Sequence, residues 1–168
     1  MRTSIGIDIA APPVLVFDLA RDVERWPAML PHYVRVAIRA RHADGARTAE
    51  MVAIRPLVRT LGLGIPVAWR ARTWAEPGAR RLRFRHLGGA TAGMDVTWRI
   101  EPTDTGCHVE IEHDFAAGPA AWATIIDRLF VRPIAGRTLA TFKSIAEAIV
   151  DATAPDRSKP PSAPKSPA

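Results

Sequence analysis

Cysteine is nearly absent from this 168-residue chain: Cys107 stands alone, so no internal disulfide can form. No second thiol and no paired-histidine spacing accompany it, which argues against structural zinc or any bound metal and leaves packing as its expected role. An unbroken apolar run long enough to span a bilayer is also missing, so no stable membrane insertion is expected. Met1 and Arg2 lead into polar residues and an alternating Ile5, Ile7, Ile9, which is neither a signal-peptide core nor a transit-peptide pattern; the expected compartment is the cytoplasm. Lysine is scarce, and almost all the positive charge is arginine.

Hydrophobic residues make up 48% of the chain and charged residues 24%, as in ordinary globular proteins, and the length suits one domain with a sizeable core. The net charge of +6 raises the question of nucleic acid. Arg157, Lys159 and Lys165 against Asp156 place +2 of it in the last residues, and the remaining arginines alternate along strand-like segments. Alternation with carboxylates on neighbouring strands builds a solvated sheet face with cross-strand pairs, so no nucleic-acid partner is expected.

Residues 4 to 10 alternate apolar and polar, the period of a half-buried strand. Ala11-Pro12-Pro13 breaks it, and Val14, Phe17 and Ala20 recur at helical spacing with Val16 and Leu19 beside them. Asp22 to Pro27 starts a second short helix that ends by Pro31. From Val34 the chain alternates again, with Val34, Val36 and Ile38 opposite Arg35, Arg39 and Arg41, and Asp44-Gly45 turns it. Strand-like runs follow at about 46 to 55, 66 to 76, 80 to 87, 93 to 102 and 106 to 115, punctuated by Pro77-Gly78 and Asp104-Thr105-Gly106. Gly88 to Gly93 joins two strands and opens no helix, so it reads as a hairpin rim and not a phosphate loop.

Gly118-Pro119 opens a helical stretch to about Ala152, with Trp122, Ile126 and Leu129 on one stripe and Ile134, Thr138, Phe142, Ile145 and Ile149 on its continuation. Pro133 lacks the backbone donor a helix interior needs, which predicts a kink or break near Val131 to Ile134. Residues 1–152 form the expected domain, and 153–168, mostly Pro, Ser, Ala and Lys, an expected disordered tail. The pattern is α+β: a strand, two short helices, six strands in an antiparallel meander and a long C-terminal helix. A sheet curved enough to wrap that helix leaves a cavity between them.

The order of elements, with Ile7-Asp8-Ile9-Ala10-Ala11-Pro12, Val16-Phe17-Asp18, Asp22 to Pro27 leading to Leu30-Pro31-His32-Tyr33, Met94 to Trp98, Glu112 to Phe115 and Leu139 to Ala146, resembles the START-like (SRPBCC) superfamily. Within it the likeness is to the branch of polyketide aromatase/cyclases and coenzyme Q-binding proteins, over roughly residues 4 to 150. The resemblance implies a helix-grip fold and a cavity that folds a poly-β-ketone and promotes aldol closure and dehydration, without cofactor. Tyr33 falls on a tyrosine that looks functional in that group. A pocket arginine of the family appears here as Thr73, and a helix asparagine as Thr141.

Alternation supplies an independent list of inward residues. Leu82, Phe84 and His86 share one face of their strand; Met94, Val96, Trp98 and Ile100 share another; Val109, Ile111, His113 and Phe115 a third. His113 and His86 on an apolar face are candidates for passing protons, His113 first because it lies near the end of the last strand. Tyr33 carries a conflict: strict alternation sets it with Arg35, away from Val34 and Val36, whereas the resemblance turns its hydroxyl into the cavity. Pro31, just ahead, can shift the phase. Arg55 shares the parity of Met51 and Ala53 and is a candidate for holding a carbonyl or enolate oxygen. Trp26, Trp69, Phe84, Met94, Trp98 and Phe142, with Thr73 and Thr141, complete the expected ligand-binding set; Trp69 and Trp98 suit stacking on a flat ring.

Two functions fit a hydrophobic small-molecule partner: a cofactor-independent polyketide aromatase/cyclase, or a non-catalytic carrier of a quinone or lipid. A homodimer stays open. Because the final segment has no apolar face to bury, a chain ending at Ala152 should keep the full-length melting temperature; a scan showing a drop of many degrees would mean that the segment docks.

Overall fold

The alternating Ile5, Ile7 and Ile9 lie on β1 (Arg2–Ile9) and point inward, while Arg2, Ser4 and Asp8 face solvent. The computed structural model describes residues 1–58, 63–89, 91–115 and 124–153. After β1 come α1 (Pro13–Arg21), a single 3-10 turn, α2 (Trp26–Met29), and then the meander β2 (Tyr33–Arg41), β3 (Arg47–Val58), β4 (Leu63–Glu76), β5 (Arg81–Gly89), β6 (Asp95–Thr103) and β7 (Gly106–Asp114). The long helix α3 (Arg132–Thr153) closes the described chain.

The seven strands form one antiparallel sheet in the order β1-β7-β6-β5-β4-β3-β2. Its concave face is apolar and grips α3 in the helix-grip arrangement. Ile134, Thr138 and Phe142, spaced by four residues, are the buried stripe of that helix, joined by Ala135, Leu139 and Ala146. The packing centre is aromatic: Phe142 meets the Trp26 ring at 6.0 Å and the Trp98 ring at 5.9 Å, both edge to face. On α1, Val16, Phe17 and Ala20 are buried, whereas Val14, expected on the same stripe, is exposed in the first turn.

The outer face carries the arginines, paired across strands as their alternation implied. Arg99 on β6 bridges Glu110 and Glu112 of β7, Arg2 reaches Asp114, and on the β2 edge Arg35 and Arg39 both bind Glu50. Such half-exposed pairs are worth at most about 1 kcal/mol each, so their role is to keep the edges soluble and in register.

Three expectations are corrected by local geometry. The register of β2 skips between Tyr33 and Arg35, so Val34 and Arg35 both face solvent and Tyr33 turns inward. Val34 is therefore exposed, not inward with Val36, and the conflict over Tyr33 resolves in favour of burial. The kink or break expected near Val131 to Ile134 takes the form of a π-turn just ahead of it: Asp127–Val131 widens, with the Arg132 N–H bonded to the Asp127 carbonyl, and the helix continues. The extra residue rotates the face, so Ile126, Asp127 and Val131 are buried and Leu129, expected on the inner stripe, is exposed. The predicted helix start at Gly118-Pro119 with Trp122, and the segment beyond Thr153, lie outside the described residues.

Gly106, at the β6–β7 turn, has φ +155°, and a Cβ there would sit 2.1 Å from the carbonyl oxygen of Ile9 and 2.8 Å from the amide nitrogen of Ala11. Both are backbone atoms and cannot swing aside. Gly106→Ala should therefore lower stability by about 3 kcal/mol in urea unfolding, and a loss under half of that would show that the β1 end yields easily.

Candidate functional site

Between the concave sheet and α3 lies a partly open cavity of about 80 Å³. Trp26 from α2, Trp69 from β4, Phe84 from β5 and Trp98 from β6 form its aromatic wall; Met51 and Met94 add soft sulfur surface. The helix side is made by Val131, Ile134, Ala135 and Thr138. Five polar side chains reach it: Tyr33, His86, Thr91, His113 and Thr138.

His86 is held by its hairpin. Its backbone N–H bonds the Met94 carbonyl at 2.9 Å, and its carbonyl accepts from Gly93 at 2.8 Å. Gly89 and Gly93, at φ +86° and +81°, let the connection fold back so that the Thr91 hydroxyl meets His86 Nδ1 at 2.6 Å. The imidazole lies nearly parallel to the Trp69 indole, 9° between planes and 5.9 Å between centroids. Burial, reinforced by the neighbouring His113, pushes its pKa down to about 3.

His113 projects from β7 opposite Thr3 of β1 and Val96 of β6. Burial lowers its pKa to about 4; the Asp127 carboxylate opposes that shift and the Arg132 guanidinium adds to it. Near neutral pH both cavity imidazoles are uncharged, each with one donor and one acceptor nitrogen.

At the other end, Thr138 donates its hydroxyl proton to the Ile134 carbonyl at 2.9 Å, which leaves its lone pairs for His32 Nε2, also at 2.9 Å. The Tyr33 phenol stands beside Thr138, its ring edge-on to His32 at 5.0 Å and to Trp69 at 5.9 Å. Burial raises the Tyr33 pKa above its usual value, with Thr138 partly offsetting it, so the phenol keeps its proton. His32, also buried and beside Arg137, is lowered to about 4.

Of the residues singled out from sequence, Tyr33, His86, His113, Trp26, Trp69, Phe84, Met94 and Trp98 are brought together on the cavity wall. Phe142 stands behind Trp26 and Trp98 as their support. Thr73 is buried opposite Phe84 on the β4–β5 ladder, and Arg55 sits opposite Ile65 on β3–β4; neither is among the residues lining the cavity. Thr141 is a correction: it lies on the outer side of α3 with its hydroxyl bonded to the Arg137 carbonyl. Thr138, three residues and so about 300° of helix earlier, is the threonine that lines the cavity. Thr138, Thr91 and His32 were missed as site residues. The available signal was Thr138, a polar residue on an otherwise apolar stripe.

Among the described residues no group of three His, Cys, Asp or Glu side chains is arranged to hold a metal, and no helix is long and apolar enough to cross a membrane.

The three buried histidines make stability depend on pH in a definite direction. Their folded pKa values of about 4 for His32 and His113 and about 3 for His86 lie below the unfolded value of 6.5, so between these limits the unfolded chain binds more protons. Their contribution is complete above pH 6.5 and is lost as pH falls toward 4. Urea midpoints should thus be flat from pH 7 to 8 and fall steeply from 6 to 4, and a triple His→Gln variant should lose most of that slope.

The comparisons with known proteins agree with this architecture. A putative polyketide cyclase of Streptomyces cyaneus is 29% identical over 121 residues, 71% of this chain and 76% of that protein. The granaticin polyketide synthase bifunctional cyclase/dehydratase of Streptomyces violaceoruber is 28% identical over 134 residues; the match covers 76% of this chain but only 39% of that longer protein. Among solved structures, the Zhui aromatase/cyclase from Streptomyces sp. R1128 superposes with a TM-score of 0.72 at 21% identity, covering 89% of this chain and 95% of that one. A START superfamily protein from Mycobacterium smegmatis superposes at 0.59 with 16% identity, over 91% of this chain and 99% of its own; at such identities the likeness carries the fold alone. The profile of the family described as polyketide cyclase/dehydrase and lipid transport matches residues 2–147, nearly all of the described chain, and the protein belongs to that family.

Proposed function

We propose that this protein is a cofactor-independent aromatase/cyclase that folds a poly-β-ketone segment in its cavity and promotes aldol ring closure followed by loss of water. The observation that carries the reading is the pairing of two uncharged imidazoles, His86 and His113, with a protonated phenol, Tyr33, on one aromatic-walled cavity. A carrier needs only the apolar wall, whereas enolisation and dehydration need groups that accept and give protons.

In this reading His113 accepts a proton from a methylene between two ketones. The C–H bond breaks, its electron pair moves to the ketone oxygen as an enolate, and Tyr33 donates a hydrogen bond to that oxygen or to the acceptor carbonyl. The enolate carbon attacks the second carbonyl, and the alkoxide so formed takes the proton held by His113 to become a hydroxyl. His113 then removes the remaining proton of the same methylene carbon; the C–O bond breaks as the C=C bond forms, and that proton leaves with the hydroxide as water, which returns the imidazole to its neutral state. His86, fixed by Thr91, offers a second neutral imidazole on the same wall.

His113→Gln, neutral and of similar size, should fold and bind like the wild type while slowing cyclisation about a hundred- to ten-thousand-fold. The assay is product formation from a poly-β-ketone generated in situ by a minimal ketosynthase system, with an aromatic ketone as the binding probe. Unchanged yield and regiochemistry in the mutant would remove His113 from the chemistry and favour a quinone or lipid carrier.

A further inference from the structure

Asp127 is buried, with a side chain only 5% exposed, in a stretch where sequence periodicity gave it no role. Its carboxylate is fully engaged: Oδ1 accepts from the Thr3 hydroxyl at 2.8 Å, and Oδ2 from Arg132 Nε at 2.8 Å. The widened turn makes the second contact possible, because the Arg132 backbone N–H also bonds the Asp127 carbonyl, bringing residues five apart onto one side of the helix. Pro133 follows at once and supplies no donor of its own.

This pair stands next to His113. Thr3 is the direct cross-strand partner of His113, and directly opposed residues project from the same face with Cβ atoms about 5 Å apart. The Asp127 carboxylate on Thr3 is therefore one side chain away from the imidazole, and Val131, the last residue of the same turn, lines the cavity with His113.

We propose that Asp127 is a positioning residue for His113, the counter-ion for the imidazolium that forms when His113 takes a proton, and that Arg132 moderates it. The proposal rests on the reading of His113 as the cavity base. Asp127 is oriented in advance by Thr3, so its charge needs no reorganisation when the imidazolium appears. Arg132, half-exposed, holds that charge partly neutralised while the imidazole is neutral and is free to tilt toward solvent. The charged and titratable groups facing His113 are Asp127 and Arg132 from the helix and His86 from β5; its neighbours Thr3 on β1 and Val96 on β6 are uncharged, and the amino terminus is bonded to the Phe115 carbonyl at 3.2 Å. The opposing effects of Asp127 and Arg132 on His113 agree with this geometry.

The test is the titration of the His113 imidazole by NMR in the free, full-length protein labelled at histidine, which needs no substrate. Arg132→Gln should move its midpoint upward, and Asp127→Asn, which keeps the Thr3 bond, should move it downward, each by roughly one pH unit. A purely structural role for the pair would move both variants in the same direction or neither, and either result overturns the proposal. Should Asp127→Asn fail to fold, Arg132→Gln decides alone: an unchanged or lowered midpoint refutes the moderating pair. If the midpoints move as expected but His113→Gln cyclises normally, the pair stands as an electrostatic unit and the catalytic reading of His113 fails instead.

Discussion

The contact of Phe142 with the Trp26–Trp98 pair determines where everything else can be. These rings come from α3, α2 and β6, three segments far apart in the chain, and burying them together requires the sheet to curl around the helix. Aromatic side chains bring the largest buried area per residue, and edge-to-face contacts hold their relative angles. Three bulky ring systems at one end of the concave face also keep sheet and helix apart beyond them. The space left, bordered by Tyr33, Trp69, His86 and His113, is the cavity. Support and site are thus consequences of one packing arrangement, with Trp26 and Trp98 belonging to both.

The charge distribution follows from the same separation of faces. Among the described pairs, the outer surface of the curved sheet is covered by arginine–carboxylate pairs, while the one buried carboxylate in a salt bridge, Asp127 with Arg132, lies in the turn before α3. Among the described residues the outer arginines are interleaved with the carboxylates of Glu50, Glu110 and Glu112. Arginine suits this use because one guanidinium can serve two carboxylates, as Arg99 does.

The architecture was legible because strand alternation and helical periodicity are redundant signals, repeated over seven strands and a 22-residue helix. The misreadings cluster where the count slips by one. At Tyr33 a β-bulge advances the phase, so Val34 and Tyr33 exchange faces; at Asp127–Val131 a π-turn does the same, exposing Leu129 and burying Asp127. Thr141 and Thr138 differ by the same kind of offset, there in matching a family position to a helix face. Bulges and π-turns cost one residue and leave no compositional mark, apart from the prolines nearby at 31 and 133. Both slips fall beside the cavity: one turns Tyr33 onto its wall, and the other sets Asp127 on Thr3, the cross-strand partner of His113.

Burial acts on the polar groups of this cavity in opposite senses with one outcome: it lowers the imidazoles, raises the phenol, and so leaves all of them uncharged at neutral pH. An uncharged ketone can enter such a site without stripping water from a resident ion. The cost is that an imidazole near pKa 4 is a weak base for a methylene proton, so chemistry there requires the imidazolium and enolate to be stabilised as they appear. In the proposed reaction each of those charges would arise in a medium where a fixed dipole or counter-ion acts far more strongly than in water. The oriented groups at hand are the Tyr33 phenol on the enolate side and Asp127, behind Thr3, on the imidazolium side. On the proposed mechanism, a cavity that suppresses charge at rest and opposes it with two prearranged partners during reaction would gain its selectivity from the difference between those states, which is the quantity that catalysis depends on.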